Sequence, residues 1–304
     1  MTARATRPLK GFLASLAATA IWGGTYVVSR GALEVVPPAT LVAIRMALSA
    51  AALFLFLALS GRPLGLPRGA WRAALLTGLI GNALSIVAQF QGTALAGASV
   101  GSLVTTASPV VTVALAAATG MERVGWRAWA GLALALGGVW VLAAPGGGDP
   151  TGVAWLVLAA ISWGLLGFIG GNAARRHDAA AVTAWACLVG AIALAPLAAV
   201  EVASGRVGPL TWSLAPALFY LSVVSTALAF ALWVYGVANA GAVTSGLAFF
   251  AQPAVGALLG WSLLGEALGP AFAVGAFLIL AGALVASPAA RLLGRRARGM
   301  PVAD

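Results

Sequence analysis

The chain has 304 residues, 62% of them hydrophobic and 8% charged, with a mean hydropathy of +1.02 and a formal net charge of +10. So few charges cannot give a globule a polar shell, which excludes a soluble fold and makes the lipid bilayer the solvent. One cysteine, Cys187, and one histidine, His177, exclude an internal disulfide and leave no metal-ligand spacing.

A hydrocarbon layer about 30 Å thick needs roughly twenty apolar residues per helix. Runs of that kind lie at 11–29, 39–59, 72–92, 99–119 and 127–144, then at 152–172, 180–200, 214–236, 243–264 and 270–287. Glycine, proline and the few charges mark the breaks, as in Gly61-Arg62-Pro63, Glu122-Arg123 and Arg175 to Asp178. The expected fold is therefore an all-α integral membrane protein with ten transmembrane helices. Between the third and fourth runs, residues 92–98 carry no charge, and a kinked or re-entrant path is open there.

The chain is doubled. Gly92 to Gly138 and Gly236 to Gly282 are identical at sixteen of forty-seven positions, including Pro109/Pro253 and Glu122/Glu266, at a spacing of 144 residues. Upstream the match resumes with a three-residue shift, placing Trp22-Gly23 against Trp163-Gly164. The expected division is a tail at 1–10, a first repeat at 11–144, a linker at 145–151, a second repeat at 152–288 and a basic tail at 289–304. Five helices is an odd number, so the second copy enters the membrane upside down, and two inverted repeats around a central cavity are how many secondary transporters are built.

With a cytoplasmic N-terminus, ten alternating spans place fourteen cations inside, among them Arg62, Arg68, Arg72, Arg123, Arg127, Arg175 and Arg298, and leave Arg30 and Arg206 outside. The positive-inside rule then predicts both termini in the cytoplasm. The net charge is accounted for by topology and needs no nucleic-acid partner.

The order Gln91-Gly-Thr-Ala-Leu-Ala-Gly97, Pro109, Gly120-Met-Glu122-Arg and Gly131 to Gly138 resembles the EamA-like branch of the drug/metabolite transporter superfamily. Tyr235-Gly-Val-Ala-Asn-Ala-Gly241, Pro253, Gly265-Glu266 and Gly275 to Gly282 resemble it again, as do Ile21-Trp-Gly-Gly-Thr-Tyr26 and Ile44-Arg-Met46. The resemblance implies export of small metabolites or amphipathic compounds, amino acids included, across a bacterial inner membrane by alternating access. It names no substrate. The competing expectation is a membrane sensor or assembly partner that keeps the fold without transporting.

Arg45 is the one cation placed well inside a span, about six residues into its helix and so roughly 9 Å below the outer surface at about 1.5 Å per residue. It can snorkel to the interface, pair with Glu34, or face the cavity and bind a carboxylate or phosphate. Its repeat mate is Ala186. All seven acidic residues fall in loops or at span ends, which argues against a carboxylate relay in the membrane. Glu122 and Glu266 are expected at the start of the following helix, stabilised by its dipole, or as gates at the two mouths. Trp22, Tyr26, Asn82, Gln89, Gln91, Trp163, Trp233, Tyr235 and Gln252 are the candidate cavity lining, or else simply pack and bridge helices. Pro109 and Pro253, inside their spans, are expected to kink them, as hinges or as a curved wall. No nucleophile elbow or Walker loop is present, so neither enzyme chemistry nor a cofactor or metal is expected, and the partners are a small-molecule substrate and the bilayer.

Overall fold

A computed structural model describes residues 6–119, 126–145, 147–170, 178–209 and 211–286. Among them the chain is helical and without strands. The first half runs α1 (Thr6–Ala32), α2 (Pro38–Leu59), α3 (Trp71–Leu76), a π-helical segment (Thr77–Ser85), α4 (Ile86–Ala96), α5 (Ala98–Thr105), α6 (Ser108–Ala118) and α7 (Trp126–Ala143). The second runs α8 (Pro150–Gly170), α9 (Ala179–Ala203), α10 (Ala215–Phe219), a second π-helical segment (Tyr220–Leu228), α11 (Ala229–Ala240), α12 (Ala242–Ala248), α13 (Ala251–Leu264) and α14 (Pro270–Ala286). Seven of these helices, some of them composite, are long and apolar enough to cross a membrane, and Trp129–Ala143 and Pro270–Val285 are shorter apolar helices.

Proline and glycine set the joints. Pro38, Pro150 and Pro270 open α2, α8 and α14, where a missing N–H costs nothing. Gly97 and Gly241 each turn the chain sharply between two helices at φ of 92° and 83°, a backbone that a side chain would strain. The uncharged stretch before α5 is thus a one-residue corner.

Two expectations need correction. The run at 99–119 is not one helix, because a turn at Thr106 and Ala107 divides α5 from α6, and Phe249 and Phe250 likewise divide α12 from α13. Pro109 and Pro253 are therefore not interior residues that break a helix. They are the second residue of α6 and the third of α13, positions whose N–H has no helical acceptor anyway.

Lipid gives apolar helices no hydrophobic reason to associate, so close backbone approach and dispersion do the work. The main pairs are α7 with α14, α2 with α9, α1 with α11 and α4 with α8. A Cβ on Gly138 would stand 2.8 Å from the Gly275 carbonyl oxygen, and one on Gly11 would stand 2.7 Å from the Ala240 nitrogen. Larger side chains at these sites would push the pairs apart.

Charges pin α2 to α9 at both ends. At one end the Glu201 carboxylate, on the last turn of α9, accepts from Thr40 N at 2.7 Å, Thr40 Oγ1 at 2.8 Å and Ala39 N at 3.4 Å. It thereby satisfies the first turn of α2, whose N–H groups have no helical partner. At the other end Asp178 caps α9 through Ala180 N and Ala181 N and pairs with Arg62, just past α2, at 2.6 Å. Glu201→Ala removes the cap from a buried helix start and is expected to cost about 2 kcal/mol. A lowered unfolding temperature of the purified protein in detergent, with Glu201→Gln in between, is the check.

Candidate functional site

The middle of an otherwise apolar bundle holds a polar network centred on α1. On one side of that helix Arg45, 4% exposed, donates from Nε to Thr226 Oγ1 at 3.3 Å and from Nη2 to Ser225 Oγ at 3.0 Å and Thr226 Oγ1 at 3.2 Å. The acceptors belong to the second π-helical segment, whose wider turn also lets Thr226 Oγ1 donate to Leu221 O five residues back. Ser225 Oγ shares a hydrogen bond with Thr25 Oγ1 at 2.8 Å, and Ser225 O accepts from the Trp22 indole at 3.1 Å. The Arg45 guanidinium also lies 5.6 Å from the centre of the Phe90 ring.

On the other side, Tyr26 shares a short hydrogen bond with Thr105, and Gln252 Nε2 lies within donor range of Ser102 O at 3.2 Å, Thr105 Oγ1 at 3.3 Å and Tyr26 Oη at 3.4 Å. This joins α1, α5 and α13. The two arms together carry more polar groups than they satisfy among themselves. Arg45 Nη1 makes no hydrogen bond and no carboxylate reaches the guanidinium among the described residues, while the buried hydroxyls of Thr93 and Ser222 have no partner. A Cβ on Gly101 would meet both Thr93 Oγ1 and the Tyr26 ring, so α4 and α1 both close on α5 at that glycine.

The predicted lining residues divide accordingly. Trp22, Tyr26, Arg45 and Gln252 join this network, and Trp233 packs on Trp22 at 5.6 Å between ring centres, with Phe230 and Phe249 completing the cluster. Gln89 is buried on α4, and its side chain makes no hydrogen bond among the described residues. Asn82 is buried too, and its Nδ2 lies 3.7 Å from Cys187 Sγ. Trp163 packs against the core formed by α2, α4 and α9 near Gly81, Gln91 is half-buried, and Tyr235 is exposed on α11. Neither snorkelling nor a Glu34 pair describes Arg45, which points into the protein. Ser225, Thr226, Thr25, Thr105 and Glu201 carry contacts that spacing does not reveal, since isolated hydroxyls in apolar runs look like packing residues.

Glu266 is also corrected. It does not serve the helix that follows it. Its carboxylate accepts from Ala98 N at 2.6 Å, Ser99 N at 2.8 Å and Ser99 Oγ at 2.5 Å, capping α5 from 167 residues away in the other half of the chain. Glu122, its repeat mate, lies outside the described residues. Beside Glu266 a cavity of about 390 Å³ opens at the end of the bundle, with Arg30, Glu34, Gly97, Ser99 and Phe272 in its lining.

Residues 9–144 and 150–287 each match the EamA-like transporter family. The chain belongs to that family. Its two copies of the family domain meet at the Pro145 to Pro150 stretch, and the chain is a multi-pass membrane transporter. It is 32% identical over 201 residues, 66% of each chain, to a probable terminal-alkyne amino-acid exporter of Streptantibioticus cattleyicolor. It is 27% identical to the inner membrane transporter YedA of Escherichia coli K12 over 88% of this chain and 87% of that one. A solved crystal structure covering 96% of this chain and 99% of its own superposes with a TM-score of 0.61 at 26% identity.

Thr226→Val keeps the shape of the side chain and removes the hydroxyl that accepts from both Nε and Nη2 of Arg45. The buried guanidinium then loses acceptors, for an expected loss of about 2 kcal/mol. A fall in the thermal unfolding midpoint, set against an unchanged midpoint for the exposed Thr211→Val, is the measurement.

Proposed function

We propose that the protein is a secondary exporter of a small carboxylate-bearing metabolite, an amino acid or an amphipathic relative, in a bacterial inner membrane. Its architecture in this reading is ten transmembrane helices in two inverted repeats of five. Repeat-matched features support it: Gly97 and Gly241 turn the chain alike, both third helices carry a π-helical segment, and the fourth and ninth runs are both broken. The divided spans α5/α6 and α12/α13 are the natural moving parts, because helix breaks inside a membrane persist only where protein lines them. Pro109 and Pro253, at the start of the second half of each, fix where the break falls, and Glu266 together with its mate Glu122 is assigned to the two mouths.

The observation that carries the substrate class is Arg45: a buried guanidinium held by the hydroxyls of Ser225 and Thr226, with no carboxylate paired to it among the described residues. A lone buried charge is costly unless paired, and a substrate carboxylate supplies the pair in the geometry a guanidinium fork prefers. Trp22, Trp233 and Phe249 add an apolar wall for an amphipathic body, and Thr93, Gln89 and Gln252 add polar partners. The relative described as an amino-acid exporter agrees with that class. The same kinship supports the export direction.

In proteoliposomes loaded with a panel of amino acids, the protein is expected to raise efflux of at least one, and Arg45→Ala to abolish it at matched protein level. Arg45→Lys keeps the charge and loses the fork, so its apparent substrate affinity in the efflux assay is expected to fall by roughly tenfold or more. Parent-like transport of an anionic substrate by Arg45→Lys removes Arg45 from the site.

Orientation is tested separately. On a Cys187→Ala background, an impermeant thiol reagent added to whole cells is expected to label Arg206→Cys at once and Arg68→Cys only after permeabilisation. The reverse pattern overturns the cytoplasmic placement of the termini.

A further inference from the structure

The two broken spans are not in the same state. α5 lies tightly on α13: a Cβ on Gly256 would stand 2.2 Å from Ser102 Oγ, and one on Gly260 would stand 2.4 Å from Ser99 Oγ. Under the 144-residue repeat, Ser102 corresponds to Gly246 and Gly256 to Thr112, so the mate of this seam is the pair α12 and α6. That mate is not formed among the described residues. A Cβ on Gly246 would meet nothing within 4 Å, and Thr112 Oγ1 instead donates to Gly164 O on α8 at 2.9 Å. A bundle closed along one seam and parted along its mirror seam faces one side of the membrane.

At the end of the closed seam sits the Glu266 carboxylate, and its three hydrogen bonds are the interactions that tie the end of α13 to the start of α5. Gly97 and Gly260 leave the room it occupies: a Cβ on Gly97 would stand 2.8 Å from its Oε1 and one on Gly260 2.6 Å from its Oε2. Three donors converge on one charged group, two of them backbone N–H groups of a helix start, which makes the contact strong and geometrically all-or-none. Glu201 caps α2 by a similar device at the same end, but α2 and α9 are also joined at their other ends through Arg62 and Asp178. Further along the α5–α13 seam the second tie is neutral, Gln252 donating to Ser102 O and Thr105 Oγ1, so Glu266 is the charged one among the described residues.

We infer that Glu266 is the latch of the outer gate: its carboxylate holds α5 on α13 while the opposite seam is open to the cytoplasm, and substrate leaves outward only after the carboxylate releases Ala98 and Ser99. This rests on the inverted-repeat transport reading above. The latch is a switch between two packings of the same helices, and weakening it shifts the population toward the outward-open one.

The test uses the full-length protein in proteoliposomes on the Cys187→Ala background, with single cysteines at Ser102→Cys in the closed seam and Gly246→Cys in the open one. Glu266→Gln keeps size and polarity but presents an amide where two oxygens accepted, and Glu266→Ala removes the group. Either is expected to speed labelling of Ser102→Cys from the outer side by about tenfold and to slow labelling of Gly246→Cys from the inner side, with unaltered monodispersity. Glu201→Ala is expected to leave both rates as they were. Unchanged rates in the Glu266 variants, or an equal rise at Ser102→Cys with Glu201→Ala, overturn the latch. Substrate efflux by the parent is measured alongside. Efflux without a labelling response rejects the latch alone, whereas a labelling response in a protein that moves none of the panel rejects the transport reading and leaves the latch standing.

Discussion

A helix that begins within a packed bundle leaves its first N–H groups without helical acceptors, and in lipid no bulk water replaces them. The structure depends on how that requirement is met. Glu201 meets it for α2 and Glu266 meets it for α5, and in each case the carboxylate comes from the opposite half of the chain. One group thus stabilises a local helix start and fixes a long-range contact at the same time. Two of the few acidic residues therefore do more to place helices than their number suggests.

Around these clamps glycines set how closely several helix pairs approach. Gly92 and Gly152 bring α4 onto α8, Gly78 and Gly190 bring the first π-helical segment onto α9, and Gly164 brings α8 onto α6. At these contacts a side chain such as Leu156 or Val189 lies against bare glycine backbone instead of interlocking with another side chain. A seam built so can part without unpacking a core, which suits α5 on α13 far better than a leucine zipper would.

Much of this was legible in the sequence because the bilayer imposes a length on every helix. Among the described residues the ten apolar runs fall on helices apart from short breaks such as Thr106-Ala107, and the single helices Pro38–Leu59 and Ala179–Ala203 are close to their expected bounds. What was not legible depends on distance or on an interruption with no local mark. The break at Thr106 and Ala107 carries no glycine and no proline, so the proline two residues on drew the inference instead. The target of Glu266 lies 167 residues away, and no periodicity points to it. Arg45 stood out because a charge in a span is rare, yet its acceptors Ser225 and Thr226 are ordinary residues in an apolar run, brought to it by a helix of unusual pitch.

That pitch has a consequence for how the third helix of the first half is read. Each residue advances an α-helix by about 100°, so an accommodated extra residue turns everything beyond it to a new azimuth. α3 rests on α9, the π-helical segment touches both α9 and α8, and α4 rests on α8. A single rod of constant phase would offer one stripe to one neighbour. The wider turn acts as a rotary joint frozen into the chain, letting one membrane crossing address two partners in succession and so carry Asn82 toward Cys187 on α9 while Gly92 meets Leu156 on α8.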